Sequence, residues 1–157
     1  MKYSTDILKK NVIIDDYIPL LIKAERKSND MEYLYYRDEN KQGLLEVGFD
    51  STTQQIYKIC LVICKDHRVM NAKYTLTDNC IVGDLLIDIP DDILTATFFC
   101  EIYKDAIKVV LSGEDVCQTV ASDNLAWEIN AEGKIVSLIV FGQSEETIMH
   151  SIDELSA

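Results

Sequence analysis

From residue 31 onward the apolar residues of this chain recur at every second position, in short runs broken by polar turns, and that period commits it to β structure. Successive side chains of a strand point to opposite faces, so alternation buries one face and wets the other, which no helix can do with the same pattern. Leu45, Val47 and Phe49 alternate along one run, and Asp50-Ser51-Thr52-Thr53 then turns the chain into Ile56 to Cys64. The second run is apolar on both faces, with Tyr57, Ile59, Leu61 and Ile63 on one and Cys60, Val62 and Cys64 on the other. It predicts a central strand covered on both sides.

A second hairpin is the clearest in the chain. Asn124 to Ile129, the turn Asn130-Ala131-Glu132-Gly133 and Lys134 to Phe141 form it, because Gly133 can supply the positive φ of a bulged turn. The two hairpins read alike, LEVGFDSTTQQIYKICLVI against LAWEINAEGKIVSLIVF, as an internal duplication or shared hairpin grammar would each produce. Further strands are expected at Met31 to Tyr36, at Gly83 to Ile89 with Leu85, Ile87 and Ile89 inward, at Ala96 to Tyr103, and at Ile107 to Leu111. Pro90-Asp91-Asp92 stops one of these and Gly113-Glu114-Asp115 closes another.

Residues 65 to 80 read as a connecting loop with room for a short strand at Tyr74 to Leu76. Residues 5 to 26 fit either an edge strand around Pro19 or the start of a helix running to Arg26. After Gly142 the period changes. Ser144 is a good N-cap, Glu145 and Glu146 suit the first turn, and Ile148, Met149, Ile152 and Leu155 fall at helical spacing. The expected class is therefore mainly β within α+β, an antiparallel hairpin-rich sheet or β-sandwich with a C-terminal helix. At 157 residues one domain over 1–157 suffices, burying roughly 70% of the unfolded surface.

Charge is distributed unevenly. Residues 1–73 hold twelve Lys/Arg and eleven Asp/Glu, net +1, whereas residues 74–157 hold three and sixteen, net −13. Such a field repels nucleic acid and anionic membrane and speeds encounter with a basic partner, within ~8 Å at physiological salt. It serves solubility equally well. Five cysteines, Cys60, Cys64, Cys80, Cys100 and Cys117, are an odd number set mostly in apolar runs, which suits buried thiols better than a disulfide framework. Lys9 and Lys10 interrupt the N-terminus before a signal peptide could form, and no run approaches the roughly 20 apolar residues of a membrane span, so a cytoplasmic location is expected.

Catalytic and metal motifs are sparse. The two histidines, His67 and His150, have no nucleophile at a recognisable spacing, and no phosphate-binding loop or nucleophile elbow occurs. The expectation is a protein that is not an enzyme and carries no cofactor. The alternative is a small-ligand or metal-binding β-domain with an enzymatic role around Cys64 and His67, with Cys60 on the same strand face and a fourth ligand from Cys80 or elsewhere. Opposing it, a structural zinc site usually shows two ligand pairs flanking turns. Tyr33, Tyr35 and Tyr36 crowd one strand, so some ring must face outward, where tyrosine is a common interface anchor.

At Gly43 to Val62 the text GLLEVGFDSTTQQIYKICLV resembles small bacterial immunity proteins of contact-dependent growth inhibition systems, the CdiI type, and Trp127-Glu128-Ile129-Asn130 with Gly133-Lys134-Ile135-Val136 is similar to their second hairpin. The resemblance implies binding of a cognate toxin domain, a basic nuclease, in the cytoplasm, with no direct contact to nucleic acid or membrane. It carries no functional residues across. An inhibitor of this kind would present carboxylates where the toxin's Lys and Arg expect phosphates. The turn-borne Asp78, Asp88, Asp91, Asp92, Asp105, Glu114, Asp115 and Asp123 are the candidate contacts.

Overall fold

The computed structural model describes residues 2–88, 93–95 and 97–157. The strands run in chain order as β1 (Lys2–Ser4), β2 (Lys10–Asp15), β3 (Ile18–Ala24), β4 (Met31–Asp38), β5 (Gly43–Asp50), β6 (Ile56–Cys64) and β7 (His67–Val69). They continue as β8 (Cys80–Val82), β9 (Asp84–Leu86), β10 (Ile93–Thr95), β11 (Phe99–Ile102), β12 (Ile107–Val110), β13 (Gln118–Ser122), β14 (Leu125–Ile129) and β15 (Ile135–Val140). The helix α1 (Glu145–Ser156) ends the chain. The protein is mainly β, as its alternation requires.

One sheet has the order β10-β4-β5-β6-β3-β2 and the other β7-β11-β12-β15-β14-β13-β8, with β1 and β9 forming a separate antiparallel ribbon. Within each large sheet five consecutive strands follow the same path: β2 to β6 are laid out as third, fourth, fifth, second, first, and so are β11 to β15. Each copy also receives a short parallel strand beside its third member, β10 on β4 and β8 on β13. The likeness of the two hairpins thus extends to the topology of both sheets. β5–β6 and β14–β15 occupy equivalent central positions.

The inner faces share one core. Leu45, Val47, Ile59 and Leu61 from the first sheet and Val109, Trp127, Leu138 and Val140 from the second belong to a single buried cluster, joined by Ile148 and Leu155 of α1. Each such side chain contributes about 1.5–3 kcal/mol by leaving water. The helix starts where expected, with Thr147 N–H donating to the Ser144 hydroxyl at 3.2 Å. It docks on β3 through the Ser151 hydroxyl, which donates to Pro19 O at 2.5 Å, and through His150 Nε2, 3.2 Å from Ile18 O.

Several expectations need correction. Residues 5–26 form neither a helix nor an edge strand around Pro19. They contain the β2–β3 hairpin, and β3 lies between β2 and β6. Pro19 is tolerated there because pairing with β6 begins at Leu20 and the β2–β3 register shifts opposite it, so its missing N–H falls at an irregularity. Residues 74–76 form no strand, whereas β7 and β8 flank that loop and β13 arises where no strand was expected. The strand expected over 83–89 is the shorter β9, and Ile89, Pro90 and Ala96 lie outside the described residues.

The most consequential correction concerns β6. The register slips between Leu44 and Leu45, which face Ile63 and Leu61, and leaves Val62 as an extra residue, 43% exposed. A bulge reverses the parity of everything after it. Ile59 and Leu61 therefore share the core with Cys64, while Cys60 turns to the opposite face beside Glu46 and Lys58. Cys60 and Cys64 do not share a face.

Candidate functional site

The eight candidate carboxylates divide between separate places. Asp78, Glu114 and Asp115, all exposed, sit at one end of the seven-stranded sheet. The register fixes this: Thr119 pairs with Cys80, Gln118 with Ile129, and Asn130 donates to Glu114. Glu132, on the turn between β14 and β15, joins them, with Lys134 at 4.0 Å.

Asp105 and Asp123 lie at the opposite end, on the β11–β12 and β13–β14 turns. Asp105 accepts the Tyr74 N–H at 2.9 Å and so serves the loop over the outer face. Asp88 lies apart from both groups, 3.2 Å from Lys2 Nζ and from Gln54 Nε2. Those two partners hold its carboxyl below the usual range. Asp91 and Asp92 lie outside the described residues.

Around Cys64 and His67 the structure brings together a pair the spacing did not suggest. β7 runs parallel to β11 with His67 opposite Cys100, and the Cys100 thiol meets that of Cys64 across the two sheets. The contact with Cys64 and burial push the Cys100 thiol well up, which keeps it protonated. Cys64 Sγ also donates to Asp66 O at 3.2 Å, and His67 Nδ1 is buried without a hydrogen-bond partner. Among the described residues no three His, Cys, Asp or Glu side chains are grouped to hold a metal ion. Cys80, the first residue of β8, lies at the far edge of the seven-stranded sheet from β7, and its thiol donates to Thr77 O.

The outward tyrosines are Tyr33, 41% exposed, and its stacking partner Tyr35 at 6.4 Å, with Lys58 Nζ 5.9 Å from the Tyr33 ring. Tyr36 is buried.

Sequence reasoning missed a third place altogether. Lys10 and Asp84, with side chains 8% and 4% exposed, form an ion pair at 3.3 Å where β2 meets β9. Asp84 also accepts the Leu8 N–H at 2.7 Å and the Ser122 hydroxyl at 2.8 Å, and Lys10 donates to Leu8 O at 3.1 Å. Burial lowers the Lys10 ammonium below its ordinary value, against the pull of Asp84. Beside the pair opens a cavity of about 220 Å³ between β2 and the turn after β13. Nothing local marks it, because Lys10 and Asp84 are 74 residues apart and each resembles a solvated turn residue. No family model matches the chain, and no curated protein matches it.

Proposed function

We propose that this chain is a non-enzymatic immunity protein that binds a cognate toxin domain, a basic nuclease, and blocks it with an acidic surface. The observation that carries the reading is the charge split, +1 over residues 1–73 against −13 over 74–157, together with exposed Asp78, Glu114 and Asp115 at one end of the seven-stranded sheet. Three exposed carboxylates and Glu132 offer acceptors at one strand end, where a partner's Lys and Arg would otherwise hold phosphates. Pairs at an exposed rim add only about 0.2–1 kcal/mol each, so the gain lies in encounter rate and in selection of partner. The cytoplasm is the proposed site of the encounter. No helix of the described residues is long and apolar enough to cross a membrane.

Co-expression with a cognate toxin domain should rescue growth. Reversing Asp78, Glu114 and Asp115 together to Lys should slow association by at least about tenfold at low salt, an advantage that added salt removes. Binding indifferent both to those reversals and to salt would refute the electrostatic mechanism.

A further inference from the structure

Strand β2 ends the six-stranded sheet, and among the described residues no strand pairs with its outer edge. Two hydrogen bonds fix which groups face outward. Glu25 N–H donates to Lys9 O, toward β3, whereas Leu8 N–H points the other way, to Asp84. Alternation then turns the backbone N–H and C=O of Lys10 and Val12 to the open side. The same strand displays Ile13 and Ile14, 39% and 48% exposed. An unpaired edge with exposed apolar residues is a template for an added strand.

The cavity beside this edge is lined by apolar Val12, Ile22, Leu125 and Val140 and as much by polar groups, among them Lys10, Asp123 and Asn124. Its charge balance is set by what is already spent. The Lys10 ammonium is matched by Asp84, whose oxygens are filled by Leu8 N–H, Lys10 and Ser122. Asp123 feels Lys10 at a distance but makes no hydrogen bond or ion pair among the described residues, and it is exposed. One negative charge, Asp123, is therefore left on the lining of a cavity of mixed character. A methylene stem can pack on its apolar part while the cationic head stays beside the carboxylate.

We propose that this cavity receives an arginine or lysine side chain carried by an extended segment of a partner protein, which lies along β2 as a seventh strand. Charge complementarity selects a cation, and the open edge selects a peptide over a free amine. The inference draws on the basic partner proposed above but concerns a different surface, at the opposite end of the seven-stranded sheet from Glu114 and Asp115.

The test needs no toxin. An acetylated, amidated pentapeptide of alternating threonine and valine with a central arginine is titrated into ¹⁵N-labelled protein. The expected result is saturable shifts at Lys10 to Val12 and Asp123 to Leu125. Replacing the arginine by neutral citrulline, or making Asp123→Asn, should each weaken binding by at least about tenfold. Asparagine tolerates the left-handed backbone at this position, φ 49, so the variant keeps the turn. The proposal is overturned by equal affinity of the citrulline peptide, by indifference to Asp123→Asn, by shifts elsewhere, or by no shift up to about 10 mM. It is also overturned if n-butylguanidinium alone binds as tightly as the peptide, which would make the site a receptor for small free cations. None of these outcomes bears on the Asp78, Glu114 and Asp115 reversals, so the two readings fail independently.

Discussion

Removing the Asp84 carboxylate should be among the most damaging single changes outside the apolar core. Asp84→Ala leaves the Lys10 ammonium, 8% exposed, with Leu8 O as its remaining hydrogen-bond partner, and strands the Leu8 N–H that now donates at 2.7 Å. Breaking one side of a buried pair costs about 3–5 kcal/mol, of which an orphaned N–H accounts for about 1–3. For a chain of this size that lowers Tm by roughly 6–20 °C. Trp127 is the chain's single tryptophan and is 3% exposed, so its fluorescence during urea denaturation reads the loss directly. Lys10→Met combined with Asp84→Leu removes both charges and should recover at least about 1.5 kcal/mol of the deficit, because apolar replacement of a buried pair is often neutral. A cost below about 1 kcal/mol for Asp84→Ala would refute the reasoning, since the network would then contribute no more than an exposed pair. A double variant as unstable as the single one would refute it differently, by showing that shape rather than charge is at stake.

Burial raises the phenols of Tyr36 and Tyr74, the latter to about 12, above an ordinary 10.0, so both remain neutral in the fold. Their contribution is complete below pH 10 and is lost as pH rises beyond it, and Tyr36→Phe should flatten the decline seen in alkaline denaturation curves. At the acid side, the Ser28 hydroxyl and then the Thr53 N–H hold the Asp50 carboxyl below its ordinary 3.8. That stabilisation is present above pH 3.8 and disappears as pH falls through the lower folded value, so Asp50→Asn should be less sensitive over that window. Thiol reagents should modify exposed Cys117 at once while Cys60, Cys64 and Cys100 react only on unfolding, as mass spectrometry of timed samples can follow. Gly43 lies under the Phe98 ring, where a methyl group would clash. Gly43→Ala should therefore cost about 1–3 kcal/mol, partly restored by Phe98→Leu, as read by thermal denaturation.

The elements legible in the sequence are those whose signals are local. The β5–β6 and β14–β15 hairpins carry alternation on both sides of a turn, and Gly133 does adopt the expected positive φ, 82. The α1 helix has its cap and its period within thirteen residues. The β2–β3 hairpin was hidden because its turn is Asp16-Tyr17, with Tyr17 itself at φ 72, where glycine or asparagine would have announced it. β13, Gln-Thr-Val-Ala-Ser, has one bulky apolar residue and owes its strand form to β14 and β8 on either side. β7, β8 and β10 are parallel additions whose partners lie far along the chain, so no period in their three residues could reveal them.

The candidate sites divide the same way. Charge excess is a property of composition and is visible at once, but whether carboxylates meet depends on register, which sends Asp78, Glu114 and Asp115 to one end and Asp105 and Asp123 to the other. The Cys64–Cys100 contact required a bulge at Val62 that nothing in the text of β6 encodes, because a one-residue slip exchanges the faces of every later side chain. The repeated five-strand path sets the unpaired edge beside the cavity in context. In the second sheet the first strand of the path, β11, is paired with β7, whereas its counterpart β2 has no strand paired with its outer edge among the described residues. The equivalent edge that β7 fills in one sheet is thus open in the other, and a docking strand on β2 would complete the correspondence between the two.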